Sequence, residues 1–230
     1  MNDLAGYAGR RVGLLLAAGR GTRFAAGDTM PRAAASIESK LLATLPAHEI
    51  ADRAGRPIAV AAARTLMEAL GTVVAIVRAP ADEAGESLPA LDALLRATGC
   101  RVIAIAPGEA DRGMGATLAA GVRASKDAAG WIVALADMPY VRVDTVLAVE
   151  RALAGGARTV APYFAGTRGH PVGFDSSCAA ELLALDGDSG ARAILARHVP
   201  TRIDVDDAGV LADIDTRDDL ARGPVPPKAS

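Results

Sequence analysis

The chain has 230 residues, a formal net charge of −2 and a pI near 5.9, so it lacks the basic excess that marks a nucleic-acid-binding surface and is sized for one large α/β domain. Two cysteines, Cys100 and Cys178, stand far apart and outside any CxxC or His-rich spacing, which argues against a disulfide framework and against a zinc site. Aromatic residues make up 3% of the chain, too few for stacked base platforms. No signal-like segment and no apolar run of the ~18 to 20 residues needed by a membrane span is present, so a cytoplasmic protein without membrane attachment is expected.

From the N terminus, residues 12–17 form an apolar strand that runs straight into Ala17-Ala18-Gly19-Arg20-Gly21-Thr22-Arg23-Phe24. A buried strand emptying into a glycine-rich turn presents unpaired backbone N–H groups, a cradle for phosphate. Phe24 stands where a dinucleotide fingerprint needs a small third residue, and no Gly-Lys-Ser/Thr closes a P-loop nearby. What remains is a loop with two glycines, the cations Arg20 and Arg23, and Lys40 further on, which suits a nucleoside triphosphate. Leu16, Ala17, Ala18, Gly19, Arg20, Gly21 and Thr22 are the candidate nucleotide-binding stretch, and Arg23 and Lys40 the candidate catalytic cations. Residues 25–39 between them read either as a lid over the nucleotide or as a surface insertion.

Helices are predicted over residues 57–70, 87–97, 113–124 and 143–153, and strands over 72–77, 101–106, 131–136 and 158–162. This alternation predicts βαβ units: a three-layer α/β/α, Rossmann-like, mostly parallel sheet in one domain, residues 1–222. Trp131 begins a core strand. A hairpin near 166–174 and helices at 178–185 and 190–198 follow, with Asp188 or Ser189 expected to cap the last helix. The proline-rich residues 223–230 are expected to be a disordered tail. Arg78, just after its strand, is placed to meet a base or ribose, or to sit on the surface.

Asp137 follows the strand 131–136 and precedes Met138-Pro139. Ligands of open α/β sheets bind beyond the carboxyl ends of the strands, and Mg²⁺ takes one or two protein carboxylates together with phosphate oxygens. Asp137 is therefore a candidate magnesium ligand, with a strand-end cap as the alternative.

The opening Ala17-Ala18-Gly19 to Arg23 with Lys40-Leu41, then Gly113-Met114-Gly115-Ala116-Thr117-Leu118, Ala136-Asp137-Met138-Pro139, Gly169-His170-Pro171-Val172 and Asp213-Ile214-Asp215-Thr216 occur in order along nearly the whole chain. In these segments the chain resembles the nucleotidyltransferases of the molybdenum cofactor cytidylyltransferase type, within the MobA-like NTP transferase superfamily. The resemblance implies transfer of a nucleotide, CTP before GTP, to a molybdopterin-type acceptor with release of pyrophosphate. It implies Asp215 as the second metal ligand, with Asp213 as an alternative ligand and an N-cap as an alternative role for Asp215. It also implies Gly115 and Thr117 near the nucleotide, with Thr117 in place of a serine hydroxyl or merely in a helix start. Gly169, His170 and Pro171 would line the acceptor side, although His170 could equally hold the hairpin together. A molybdoenzyme or its chaperone would be the partner protein. A sugar phosphate acceptor and a non-catalytic cofactor-binding chaperone are the other readings.

Overall fold

The computed structural model describes residues 6–19, 37–46, 53–80 and 90–224. Its centre is an eight-stranded sheet in the order β3-β2-β1-β4-β7-β5-β6, with β8 on the far side of β5. Strands β1 (Arg11–Ala17), β2 (Val73–Arg78), β3 (Arg101–Ile105) and β4 (Gly130–Leu135) are parallel. β7 (Val172–Asp175) runs antiparallel between β4 and β5 (Thr159–Phe164), β6 (Thr167–Arg168) folds back on β5, and β8 (Thr201–Asp204) pairs parallel with β5.

The period-2 alternation of the strands makes the three layers. On β1, Leu15 and Ala17 face the helices Ile58–Leu70 and Val143–Ala154, in a core with Ile58, Leu66, Val146 and Val149. Val12, Leu14 and Leu16 face the other way, onto the helix Met114–Ala124 and the short helices Ala179–Leu183 and Arg192–Arg197. Because β1 is buried on both faces, its apolar run is continuous rather than alternating with polar residues.

The predicted strands and helices stand with small shifts at their ends, but the hairpin expected near 166–174 does not form as such: β6 pairs back onto β5, and β7 pairs with β4 and β5. The strand expected to start at Arg158 starts one residue later and extends to Phe164, before a turn at Ala165, whose φ is +47°, and Gly166. The helix expected over 87–97 is described as Ala90–Ala97, and its first turn lies outside the described residues. Several elements go beyond the expectation, among them the short helix Pro107–Ala110. The helix Ile37–Leu42 begins inside the segment read as a loop, and β8 had no apolar signal because it is a half-exposed edge strand. The helix Arg192–Arg197 is led by Ala191 without any side-chain cap, so neither Asp188 nor Ser189 caps it. Of the tail, residues 225–230 lie outside the described residues.

Trp131 is fully buried on β4, and its indole N–H donates to Ser125 Oγ at 3.0 Å, which itself donates to the Gly121 carbonyl at 2.8 Å. Trp131→Phe removes the donor and leaves a gap beside it. We expect chemical denaturation to show a loss of about 1–3 kcal/mol with no change in slope.

Candidate active site

The chain leaves β1, builds β2 and β3 on one side, and returns to place β4 on the other. The gap between the carboxyl ends of β1 and β4 is the switch point where open α/β sheets bind ligands. Gly19 follows β1 there and Asp137 follows β4. The Ala136 N–H bonds the Leu16 carbonyl at 3.1 Å, which ties the two strand ends together.

Lys40, on the helix Ile37–Leu42, reaches this point from the side. Its Nζ donates to Asp137 Oδ2 and to Asp215 Oδ1, both at 2.9 Å, and the lysine is only 3% exposed. Burial alone would lower the ammonium pKa, but the Asp137 and Asp215 carboxylates outweigh it and hold the pKa above its ordinary value. Asp213 is pushed toward its neutral form: burial and then the charges of Asp215 and Asp137 raise its pKa. The ion pairs of Lys40 are with Asp137 and Asp215. Nor does Asp215 cap the following helix. Thr216 does, in a reciprocal capping box with Asp219.

The backbone sets Asp137 and Asp215 side by side, since the Ile214 N–H donates to the Asp137 carbonyl at 2.9 Å. Two residues that the sequence did not single out lock this geometry. Buried Arg53 donates to the carbonyls of Pro139 at 2.6 Å and Val141 at 3.0 Å, gripping the turn after Asp137. Buried Asp207 accepts from the Arg142 N–H at 2.9 Å, Thr145 Oγ1 at 2.6 Å and the Gly209 N–H at 3.0 Å. It thereby serves the open N–H groups of the helix Val143–Ala154 from a distant loop, a tertiary cap invisible in local sequence. Gly209 allows the close approach, because a Cβ there would stand 2.3 Å from the Tyr140 carbonyl oxygen.

Beside this cluster a cavity of about 360 Å³ opens over β1. Leu16, Ala17, Ala18 and Gly19 form its floor, Asp137 stands at one side and Arg78 and Thr117 at the other. Thr117 is buried and its hydroxyl donates to the Gly113 carbonyl at 3.2 Å, a bond within its own helix. Gly115 is not part of the wall. Its N–H donates to the Gly187 carbonyl at 2.8 Å, and a Cβ there would stand 2.8 Å from the Asp186 carbonyl oxygen, so it seats the 186–188 loop against the helix. Gly113, at φ +107°, makes the turn into that helix, and both it and Asp188 line the cavity. Asp111 and Asp188 are wall residues that no sequence pattern announced.

Gly169, His170 and Pro171 also lie apart from this cavity. Gly169 and His170 donate through their N–H groups to the carbonyls of Pro162 and Val210, each at 2.9 Å, and the His170–Pro171 bond is cis. The His170 ring faces a space of about 10 Å³, bounded also by Leu135 and Met138, on the underside of the Asp137 turn. Burial lowers its pKa and so favours the neutral ring, against a backbone contact at Val133 that raises it. Arg20, Gly21, Thr22 and Arg23 lie outside the described residues.

Among the described residues no three His, Cys, Asp or Glu side chains gather into an all-protein metal cage. Two carboxylates that already share a cation are nevertheless a hard, oxygen-only donor set, and this fits magnesium, which usually keeps water and phosphate oxygens as its other ligands. Among the described residues no helix is long and apolar enough to cross a membrane.

A buried lysine and paired carboxylates stand at the switch point of the sheet, where α/β domains bind their ligands. Residues 13–202 match the family described as the MobA-like NTP transferase domain, and the chain belongs to that family. Among curated proteins it is similar to the purine catabolism protein PucB of Bacillus subtilis (strain 168), 34% identical over 113 residues, which are 47% of this chain and 54% of that protein. The chain thus spans about half the length of this curated relative. Among solved structures it is similar to Rv0371c of Mycobacterium tuberculosis H37Rv, with a TM-score of 0.67 and 22% identity over 93% of this chain and 97% of that one. It is also similar to the manganese complex of Rv0371c, with a TM-score of 0.62 and 20% identity over the same shares, 93% and 97%. These structures share the fold.

Proposed function

We propose that the protein transfers CMP from CTP to a phosphate of a molybdopterin-type acceptor and releases pyrophosphate. The observation that carries the reading is the Lys40 ammonium held by both Asp137 and Asp215 at the carboxyl ends of β1 and β4. An ammonium and two carboxylates at the phosphate end of a nucleotide cavity suit attack at an α-phosphorus, which needs charge stabilisation and alignment rather than a protein nucleophile.

In this reading the backbone N–H groups from Gly19 to Thr22 cradle the triphosphate and Arg23 meets its β- and γ-phosphates. Lys40 swings its ammonium from the carboxylates to the α-phosphate, a movement its four-carbon stem allows. Asp137 and Asp215 would hold Mg²⁺, whose contribution when bound is to neutralise charge on the phosphate oxygens. The manganese bound by the structural neighbour supports a divalent cation. An acceptor phosphate oxygen forms its bond to the α-phosphorus as the bond to pyrophosphate breaks. Ala17-Ala18-Gly19, where an Ala-Gly-Gly would resemble the guanylyl branch, favours CTP.

The test is pyrophosphate release by the purified protein with Mg²⁺, molybdenum cofactor and each of CTP, GTP, ATP and UTP. Release with CTP in preference to the other three is expected. Release with GTP instead would overturn the cytidylyl assignment. Nucleotide binding without release from any of the four would favour a cofactor-binding chaperone.

A further inference from the structure

The cavity wall farthest from Asp137 is built from two groups that belong together. Arg78, the last residue of β2, forms an ion pair through Nη2 with the Asp111 carboxylate, and its Nη1 donates to the Pro107 carbonyl at 3.3 Å. The Asp111 N–H donates to the same Pro107 carbonyl at 2.9 Å, and the Ala79 N–H donates to Ile105 at 2.8 Å. Both side chains are half-buried; Arg78 ends β2 and Asp111 closes the short helix Pro107–Ala110 that follows β3. The pair is therefore a preformed donor and acceptor rather than two solvated charges.

Its position decides what it meets. β1 separates β2 from β4, so Arg78 and Asp137 stand two strand spacings apart, roughly 10 Å. A nucleotide lying across the Ala17–Gly19 floor with its phosphates at Lys40 and Asp137 carries its base to the Arg78 side. The charge agrees with that direction. Asp111 is balanced by Arg78, while Asp188 stands on the same side against Gly113, so this end repels phosphate and favours a neutral group with N–H donors. The exposed Met114 adds a polarisable surface beside it for a ring.

We infer that Asp111, held by Arg78, reads the base by accepting a hydrogen bond from its exocyclic amino group, and so selects CTP against UTP. Cytosine offers an amino donor where uracil offers a carbonyl oxygen, and a carboxylate accepts only. Arg78 donates from the same pair to O2, an acceptor that cytosine and uracil share, so the discrimination falls to Asp111. Uracil would set its oxygen against the carboxylate, which a site built to accept rejects.

The inference rests on the cytidylyl reading, and the test separates the two by measuring binding rather than transfer. Calorimetric titration with CTP and with UTP, in Mg²⁺ and without acceptor, is made on the full chain and on Asp111→Asn. The wild-type chain is expected to prefer CTP by roughly ten- to a hundredfold. In Asp111→Asn the amide supplies a donor for the uracil oxygen, so CTP weakens, UTP tightens, and the ratio falls to within about threefold of one. A gain of UTP affinity is a result that a damaged fold cannot produce. If the variant binds both nucleotides with the wild-type ratio, or loses CTP without gaining UTP, or if the wild-type chain does not distinguish the two, the assignment of Asp111 is overturned. If the wild-type chain binds no nucleoside triphosphate at all, the nucleotidyltransfer reading falls with it.

Discussion

Asp137→Asn is expected to reduce pyrophosphate release roughly a hundred- to a thousandfold while leaving the fold intact. The substitution keeps shape and changes charge. What holds the Asp137 turn is backbone and neighbours: the Ile214 N–H bonds the Asp137 carbonyl, Arg53 grips Pro139 and Val141, and Ala136 bonds Leu16. None of these uses the Asp137 carboxylate. Lys40 also retains Asp215, so the ammonium stays paired. Loss of one of two carboxylates should weaken Mn²⁺ binding in the presence of nucleotide by about tenfold or more, read by electron paramagnetic resonance, with a melting temperature within a few degrees of wild type. Unchanged Mn²⁺ affinity would remove Asp137 from the metal site even if turnover fell.

Lys40→Met should produce three effects of differing sign. Transfer falls by about a hundredfold or more, because the cation proposed for the α-phosphate is gone. Stability in chelator falls by about 1–3 kcal/mol, since Asp137 and Asp215 then face one another without a counter-charge; their side chains are 26% and 32% exposed, so solvent screens part of the repulsion that a fully buried pair would feel. Metal binding without nucleotide strengthens, by about tenfold, because a divalent cation no longer competes with an ammonium for the same oxygens. Added Mn²⁺ should therefore raise the melting temperature of the variant more than that of the wild-type chain. Equal stabilisation of both would mean that Lys40 and the cation do not share a site.

The sheet was legible because its central strands are buried on both faces: residues 12–17, 72–77 and 131–136 are apolar runs bounded by glycine, turn or helix signals, and each became a strand within a residue or two. Asp137 was legible for the same reason, as the first charge after such a run. Lys40 could be named, but its helix could not, because only six residues of it form beside a stretch of small residues. Arg53, Asp111, Asp188 and Asp207 escaped because what each does is tertiary: a guanidinium on two carbonyls 86 and 88 residues away, a carboxylate on a helix start 62 to 65 residues away. Gly115 read as a nucleotide contact because glycine before a helix is a phosphate-loop signal, yet the close approach it permits is that of the 186–188 loop.

Lys40, Asp137 and Asp215 are proposed as the phosphate end of the site. A crystal structure of the protein with Mn²⁺ and a non-hydrolysable CTP analogue measures that directly. The predicted result is an anomalous manganese peak on the carboxylates of Asp137 and Asp215, the Lys40 ammonium moved onto the α-phosphate and the base against Asp111. Manganese or triphosphate bound elsewhere, with Lys40 still clasped between the two carboxylates, would contradict it.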